Sequence, residues 1–287
     1  QGKAAFPHQG DTSSSRVNQR ALCESREKPL QCHKPVAAFF MVPANDDSVV
    51  INPVLPAALK ELQLSTLPNF DPRLAPLAGV DSHLPAVPDA AMTPDALRHR
   101  FAVPPLWTPD VVRDRFVSDR EPADASVLIP IILRDEPTVL LTQRAARLNK
   151  HSGQIAFPGG KADPGDAGPS GTALRETQEE VGIDGQYVEV LGQLNTYVTV
   201  TAFSVTPVVA LVRPGFTLIP NPDEVADVFE VPLRFLLDPR HHERHYLELD
   251  GMRREWFAMP YQDGLHQRYS WGATAGMLRN FYRFMMA

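Results

Sequence analysis

The chain has 287 residues, 43% of them hydrophobic and 22% charged, with a formal charge of −6. This is enough apolar material for a sizeable core, and the charge excludes the broad cationic surface that nucleic-acid binding needs. A small anionic substrate is still compatible, because local basic residues or bound cations outweigh a mildly negative whole. No apolar run approaches the roughly 20 residues of a membrane span; those around 37–43 and 208–212 are far too short, so no membrane association is expected. Cys23 and Cys32 lack the paired spacing of a zinc site and are too few for a disulfide scaffold, which points to a reducing cytoplasm.

In chain order, residues 1–92 read as an N-terminal extension. The first ~50 are polar and without period, and are expected to be disordered. From Pro53 to Pro88 prolines recur too often for long regular structure, leaving room for one short helix near Pro56–Leu64. A folded domain is expected over 93–287. Thr93-Pro94-Asp95 and Thr108-Pro109-Asp110 each place an N-cap before a first-turn proline, predicting short helices over 94–101 and 109–116. Val127–Leu133 and Thr138–Thr142 read as strands around the turn at 134–137. A glycine-rich loop (Gly153–Gly168) leads into a helix over 169–181. Strands follow at Tyr187–Leu194 and Val205–Val212, then a strand end with a short helix at Glu230–Leu237. A hairpin is expected around Asp250-Gly251, and a final helix from Ala273. His241-His242-Glu243-Arg244-His245 reads as a polar loop. The alternation of strands and helices predicts an α/β fold with a mixed sheet covered by helices.

The helix over 169–181 carries the chemistry. At about 100° per residue, Glu176, Glu179 and Glu180 fall within roughly a 100° arc. Ala173, Leu174, Thr177 and Val181 form the adjoining stripe that packs on the sheet, and Gly182 stands where a left-handed residue ends the helix. Clustered carboxylates suit hard cations such as Mg²⁺ or Mn²⁺, which bridge diphosphate oxygens and activate water for in-line attack. Gly159 and Gly160 allow close backbone approach to a metal or phosphate, and Arg175 pairs with a neighbouring glutamate. Three glutamates alone more often make a solvated face, since like charges at i,i+4 cost only about 0.2–0.5 kcal/mol. The combination with Gly-Gly, the ordered Arg-Glu and the terminating glycine decides the reading.

That combination, Gly160 with Arg175-Glu176-Thr177-Gln178-Glu179-Glu180-Val181-Gly182, resembles the Nudix box. It departs from the box at three points. Asp166 stands where the family has its first glutamate, Arg175 comes one residue late, and Thr177 replaces an aliphatic residue. Upstream, Leu140-Leu141-Thr142-Gln143-Arg144 running through Gly153 to Phe157-Pro158-Gly159-Gly160 resembles the additional signature of the coenzyme A diphosphatase family, with Ala145 and Asn149 replacing its serine and second arginine. Stretches at 199–201, 205–209, 223–233 and 271–276 are similar to the same family.

The resemblance runs from about residue 95 to the end. It implies a Nudix α/β/α sandwich and Mg²⁺- or Mn²⁺-dependent hydrolysis of coenzyme A or a derivative, giving 4′-phosphopantetheine and adenosine 3′,5′-bisphosphate. It also implies roles for individual residues. Glu176 and Glu180 are the first choice as metal ligands. Glu179 is a third ligand or orients the attacking water, and the Gly160 carbonyl is a further ligand. Glu224 is a candidate base or distal ligand, and reads equally as a surface acid in an Asn-Pro-Asp-Glu turn. Arg144 suits a substrate phosphate or a structural ion pair. Arg147 and Lys150, with His151, suit the 3′-phosphate of coenzyme A, although a solvated basic turn explains them slightly better. Trp271 reads as core. The rivals are a Nudix hydrolase for ADP-ribose, a dinucleotide or a nucleotide sugar, and a non-catalytic nucleotide-binding module. The NADH-cleaving type is disfavoured because no four-cysteine zinc ribbon is present. Nothing in the sequence bears on oligomeric state.

Overall fold

A computed structural model describes residues 70–114, 121–145, 153–249 and 252–287. The expectations for the first ~50 residues, for Pro56–Leu64 and for both cysteines lie outside these. A 3₁₀ turn at Pro72–Leu74 leads to strand β1 (Leu77–Val80) and a second turn at Asp89–Met92. Helix α1 (Pro94–Ala102) starts as its signal demands, with Thr93 Oγ1 accepting from the Ala96 N–H at 3.3 Å. Then come β2 (Ala123–Ile132), β3 (Thr138–Arg144), β4 (Ile155–Ala156), β5 (Gly159–Lys161) and helix α2 (Gly168–Val181). Strands β6 (Val188–Gln193), β7 (Tyr197–Val198), β8 (Phe203–Val212) and β9 (Val225–Pro232) follow. A single helical turn α3 (Leu233–Leu236) precedes β10 (Glu243–Leu249), β11 (Met252–Asp263), β12 (His266–Trp271) and helix α4 (Ala273–Met286).

The larger sheet has the order β4-β3-β2-β8-β6, with β5 also on β2, β7 on β8 and β9 on β3. Its centre is the parallel pair β2–β8, in register from Ala123↔Phe203 to Ile132↔Val212. Both strands are nearly continuous runs of apolar residues because both faces are covered. Successive side chains divide between two cores, as the two-residue strand period requires. On the α2 side, Ile132, Leu140 and Val212 cluster with Val181 and Ile183, and Leu128, Val208 and Ala210 cluster with Ala173. Ile129, Ile131, Val139, Leu141, Val209 and Leu211 cluster with Leu278, Phe281, Tyr282 and Met285 of α4. The fold is the expected α/β/α sandwich.

A second, antiparallel sheet, β1-β10-β11-β12, carries the other end of the chain. Only part of its central hairpin was expected. The stretch from Pro53 to Pro88 contributes β1, paired with β10 through Val80↔Glu243. The run at 241–245 is not a polar loop, since His242 and His245 are 0% and 6% exposed. His242 donates Nε2–H to the Leu236 carbonyl at 2.8 Å and accepts from Arg279 at Nδ1, 3.2 Å away.

The helix expected over 109–116 is absent from its described part, 109–114. Better partners outcompete the local signal there. Val111 exchanges two hydrogen bonds with the Asn280 amide on α4, and Asp114 accepts from Tyr197 Oη at 2.7 Å and from the Val200 N–H at 2.8 Å.

Candidate active site

Helix α2 has Pro169 in its first turn and Gly182 at φ 77° as its left-handed C-cap, donating to the Gln178 carbonyl. A Cβ on Gly182 would also lie 2.8 Å from that of Ile219, so both conformation and space require glycine. Thr177 is fully buried and donates its hydroxyl to the Ala173 carbonyl at 2.7 Å. That bond satisfies its one polar atom and lets threonine fill an aliphatic position.

The three glutamates are not presented alike. Glu180 is 4% exposed, Glu176 is half-buried, and Glu179 lies open to solvent. The arc on the helix therefore straddles the boundary between core and water, rather than forming one exposed face. Arg175 organises its outer part. Its Nη1 donates to Glu176 Oε1 at 2.9 Å and to Glu179 Oε2 at 3.0 Å, while Nε and Nη2 form a two-pronged pair with Asp166 at 2.9 and 3.0 Å. Nη2 also donates to the Lys161 carbonyl.

Asp166 is the residue that sequence reasoning undervalued. Besides Arg175 it accepts from the Thr172 hydroxyl at 2.8 Å and the Asp163 N–H at 2.9 Å. The Arg175 guanidinium foremost holds its carboxyl well below the usual carboxylate range. The shorter side chain thus reaches the brace, from the one-residue-longer loop that the spacing had already marked.

Opposite α2, β5 runs antiparallel to β2 with Gly159↔Val127 and Gly160↔Ser126. A Cβ on Gly159 would sit 2.4 Å from the Ser126 carbonyl oxygen, and one on Gly160 2.5 Å from the Glu176 carboxyl. The Gly-Gly pair lets the strand and the carboxylates close on one another. Glu180 Oε2 accepts from the Gly159 N–H at 3.3 Å, and Arg144 Nη1 stands 4.0 Å from Glu180 Oε1.

Glu224 comes in from the far side. The Asn221 N–H donates to the Glu180 carbonyl at 2.8 Å, and the Glu224 carbonyl accepts from the Ala145 N–H at 2.8 Å. The turn is thereby pinned between the end of α2 and the end of β3. Burial raises the Glu180 pKa to about 7 against the Gly159 N–H and Arg144, with the Glu224 and Glu176 charges adding. Burial likewise raises Glu176 against Arg175, with Glu179 and Glu224 adding.

Glu176, Glu180, Glu224, Arg144, Gly159 and Gly160 are therefore brought together, with Arg175 and Glu179 at the rim. Arg147, Lys150 and His151 lie outside the described residues. Trp271 packs with Trp256 and Phe70, at ring separations of 6.0 and 6.1 Å.

The fit to a divalent cation rests on this crowding. Two adjoining carboxylates lie where burial and the Glu224 charge make both harder to ionise, with the Glu176 charge adding at Glu180, which is the electrostatic deficit a bound cation relieves. Among the described residues no group of three or more His, Cys, Asp or Glu side chains is placed to hold a metal ion. Magnesium needs none, since it keeps several waters and takes one or two carboxylates plus substrate oxygens.

A NUDIX domain model matches residues 123–250. The uncharacterized Nudix hydrolase NudL of Photorhabdus laumondii is 46% identical over 156 residues, 54% of this chain and 80% of that protein. The NudL of Yersinia pestis is 43% identical over 156 residues, 54% of this chain and 76% of that one. A C. elegans Ap4A hydrolase structure overlays 38% of this chain and 80% of its own, at 23% identity and a TM-score of 0.33. The chain belongs to the Nudix hydrolases, enzymes that act on nucleoside diphosphate derivatives and generally use divalent metal ions. None of its described helices is long and apolar enough to cross a membrane.

Proposed function

We propose that this Nudix hydrolase cleaves the diphosphate bond of coenzyme A or a close derivative, giving 4′-phosphopantetheine and adenosine 3′,5′-bisphosphate. The observation that carries the reading is the pair of half-buried Glu176 and buried Glu180 closed against Gly159-Gly160. It lies at the end of the strand bearing Leu140-Leu141-Thr142-Gln143-Arg144, the segment resembling the coenzyme A diphosphatase signature.

Glu176 and Glu180 would hold Mg²⁺ or Mn²⁺, with the Gly160 carbonyl as a further ligand. A cation held there would supply positive charge to offset that of the diphosphate and to make an attacking water more acidic. The chain's own residues do the remaining work. Arg144, half-exposed beside Glu180, offers a planar guanidinium to a phosphate oxygen. Glu224, held at the mouth by Ala145 and Asn221, accepts a proton from the attacking water or serves as a distal ligand. Arg175 fixes the rotamers of Glu176 and Glu179 from below. Glu179, solvent-facing, orients water or joins the ligands. Arg147 and Lys150 are assigned to the 3′-phosphate, and a cytoplasmic setting accords with the substrate.

The test is incubation with coenzyme A and Mg²⁺ or Mn²⁺, with products identified by mass spectrometry. 4′-Phosphopantetheine and adenosine 3′,5′-bisphosphate should form in wild type and drop by about 10²-fold or more in Glu180→Gln. Dephospho-coenzyme A, ADP-ribose, a dinucleotide and a nucleotide sugar serve as the comparison panel. Faster turnover of any of these would assign the site to that substrate instead, and metal-independent binding without turnover would make it a binding module.

A further inference from the structure

The register of β3 with β9 is regular as far as Gln143↔Asp227. It then slips by one residue, so that Arg144 pairs with Val225 and Ala226 is bulged out. A bulge bends its strand and re-aims the side chains beyond it. Here the residues beyond are Arg144 on one strand and Glu224 on the other, the two groups that flank the glutamate helix. The last regular rung before the bulge therefore sets where both arrive.

That rung is gripped from the opposite face by Arg268 of β12, in the second sheet. Its side chain is 10% exposed. Nη1 donates to Gln143 Oε1 at 3.2 Å and Nη2 stands 2.6 Å from Asp227 Oδ2, one contact to each residue of the pair. Asp263 accepts from Nε and Nη2 at 3.0 and 2.9 Å, and the guanidinium lies 4.1 Å from the Phe229 ring centroid on β9. Gln143 passes the restraint on, its Nε2 donating to the Gly153 carbonyl, where the chain re-enters from the loop after β3. A planar, five-donor group is suited to hold three partners in fixed directions, and an ammonium is not.

We infer that Arg268 is a positioning residue. It locks the Gln143–Asp227 rung and so fixes the bulge that delivers Arg144 and Glu224 to the site. The inference rests on the proposed function only for its kinetic consequence, because the geometric consequence is measurable without substrate.

Two variants test it. Arg268→Met keeps the apolar stem and removes all donors, whereas Arg268→Lys keeps the charge without the fork. Amide hydrogen exchange on the ligand-free protein should show the Ala145 N–H, bonded across the bulge to the Glu224 carbonyl, exchanging about tenfold faster or more in Arg268→Met. The amides of Val209 and Leu211 in the sheet centre should not change. Turnover of coenzyme A should fall about tenfold in Arg268→Met, but less than about twofold when the same change is made in a chain already carrying Arg144→Gln and Glu224→Gln, because Arg268 acts through those two groups. Unchanged exchange at Ala145, or equal falls in both backgrounds, would overturn the inference. Should Arg268→Met not fold, Arg268→Lys carries the same measurements, with protection at Ala145 again lost if the fork matters. If coenzyme A is not hydrolysed at all, the proposed function fails and the exchange result alone decides this one.

Discussion

Glu180 pits stability against chemistry at a single residue. Its carboxyl is nearly buried, and its pKa rises from 4.5 to about 7. Between those values the folded chain binds a proton that the unfolded chain does not, so folding stability falls as pH rises through this window. The metal-free protein should therefore lose roughly 3 kcal/mol of stability as pH rises from below 4.5 to above 7, a loss absent from Glu180→Gln, whose amide is never charged. Urea unfolding of both proteins at pH 5 and pH 8, in chelator, checks this. The variant should gain on wild type as pH rises, and a constant difference would contradict the account. The place of this residue in the candidate site was legible from the Gly-Gly and Arg-Glu combination that resembles the Nudix box. Its burial was not, because a 100° arc does not reveal which edge the sheet covers. Asp166 shows the opposite failure, since its identity looked like a defect and only the fold reveals that the longer loop carries it within reach of Arg175.

At the scale of elements, the helix α2 and its ends were readable because each signal is local: a first-turn proline, a glutamate ladder and a terminal glycine. Gly182→Ala should cost at least about 1–2 kcal/mol in equilibrium unfolding, since it forces a positive φ on alanine and sets a Cβ against Ile219. A loss within experimental error would contradict that cap geometry. Gly160→Ala should be milder for folding but severe for activity, because its Cβ would displace the Glu176 carboxyl. Activity falling by about 10²-fold with a melting temperature lowered by only a few degrees is the expected pattern.

What the sequence hid at this scale were features fixed by distant partners. Strand β12 reads as a polar stretch, His-Gln-Arg-Tyr-Ser, until its inward residues Arg268 and Ser270 are seen to be buried. Strand β1 has only four residues and depends on β10 for its pairing. The helix signal at Thr108-Pro109-Asp110 is sound locally, but it yields to hydrogen bonds with Asn280 that lie 169 residues away in sequence.

At the scale of the molecule, a buried polar network ties α4 to the second sheet beside β1 and β10 and to the segment at Asp110. Arg279 is 4% exposed and pairs with Asp81 at 3.0 Å and Asp110 at 2.7 Å while donating to His242. Burial lowers the His242 pKa from 6.5 to about 4. Here the unfolded chain binds the extra proton, so stability is lost as pH falls from 6.5 toward 4, by roughly 3 kcal/mol in full. This slope opposes that of Glu180 in the shared window. Metal-free wild type should show a shallow profile between pH 5 and 6.5, and Glu180→Gln should unmask the acid-side loss. An α/β fold with a mixed sheet covered by helices followed from the alternation of strands and helices, and the α/β/α sandwich from the resemblance to the Nudix box. The second sheet did not, because its strands are half-polar and joined by contacts that no short window contains.

The central claim is that Glu176 and Glu180 together receive a divalent cation. The most direct measurement is Mn²⁺ binding to the metal-free full chain, by calorimetry and by the paramagnetic broadening of nearby amides, in wild type, Glu176→Gln and Glu180→Gln. Wild type should bind with amides around Gly159, Gly160 and Glu176 broadened first, and each variant should weaken binding by about tenfold or more. Equal affinity in all three proteins, or broadening centred away from Gly160, would contradict it.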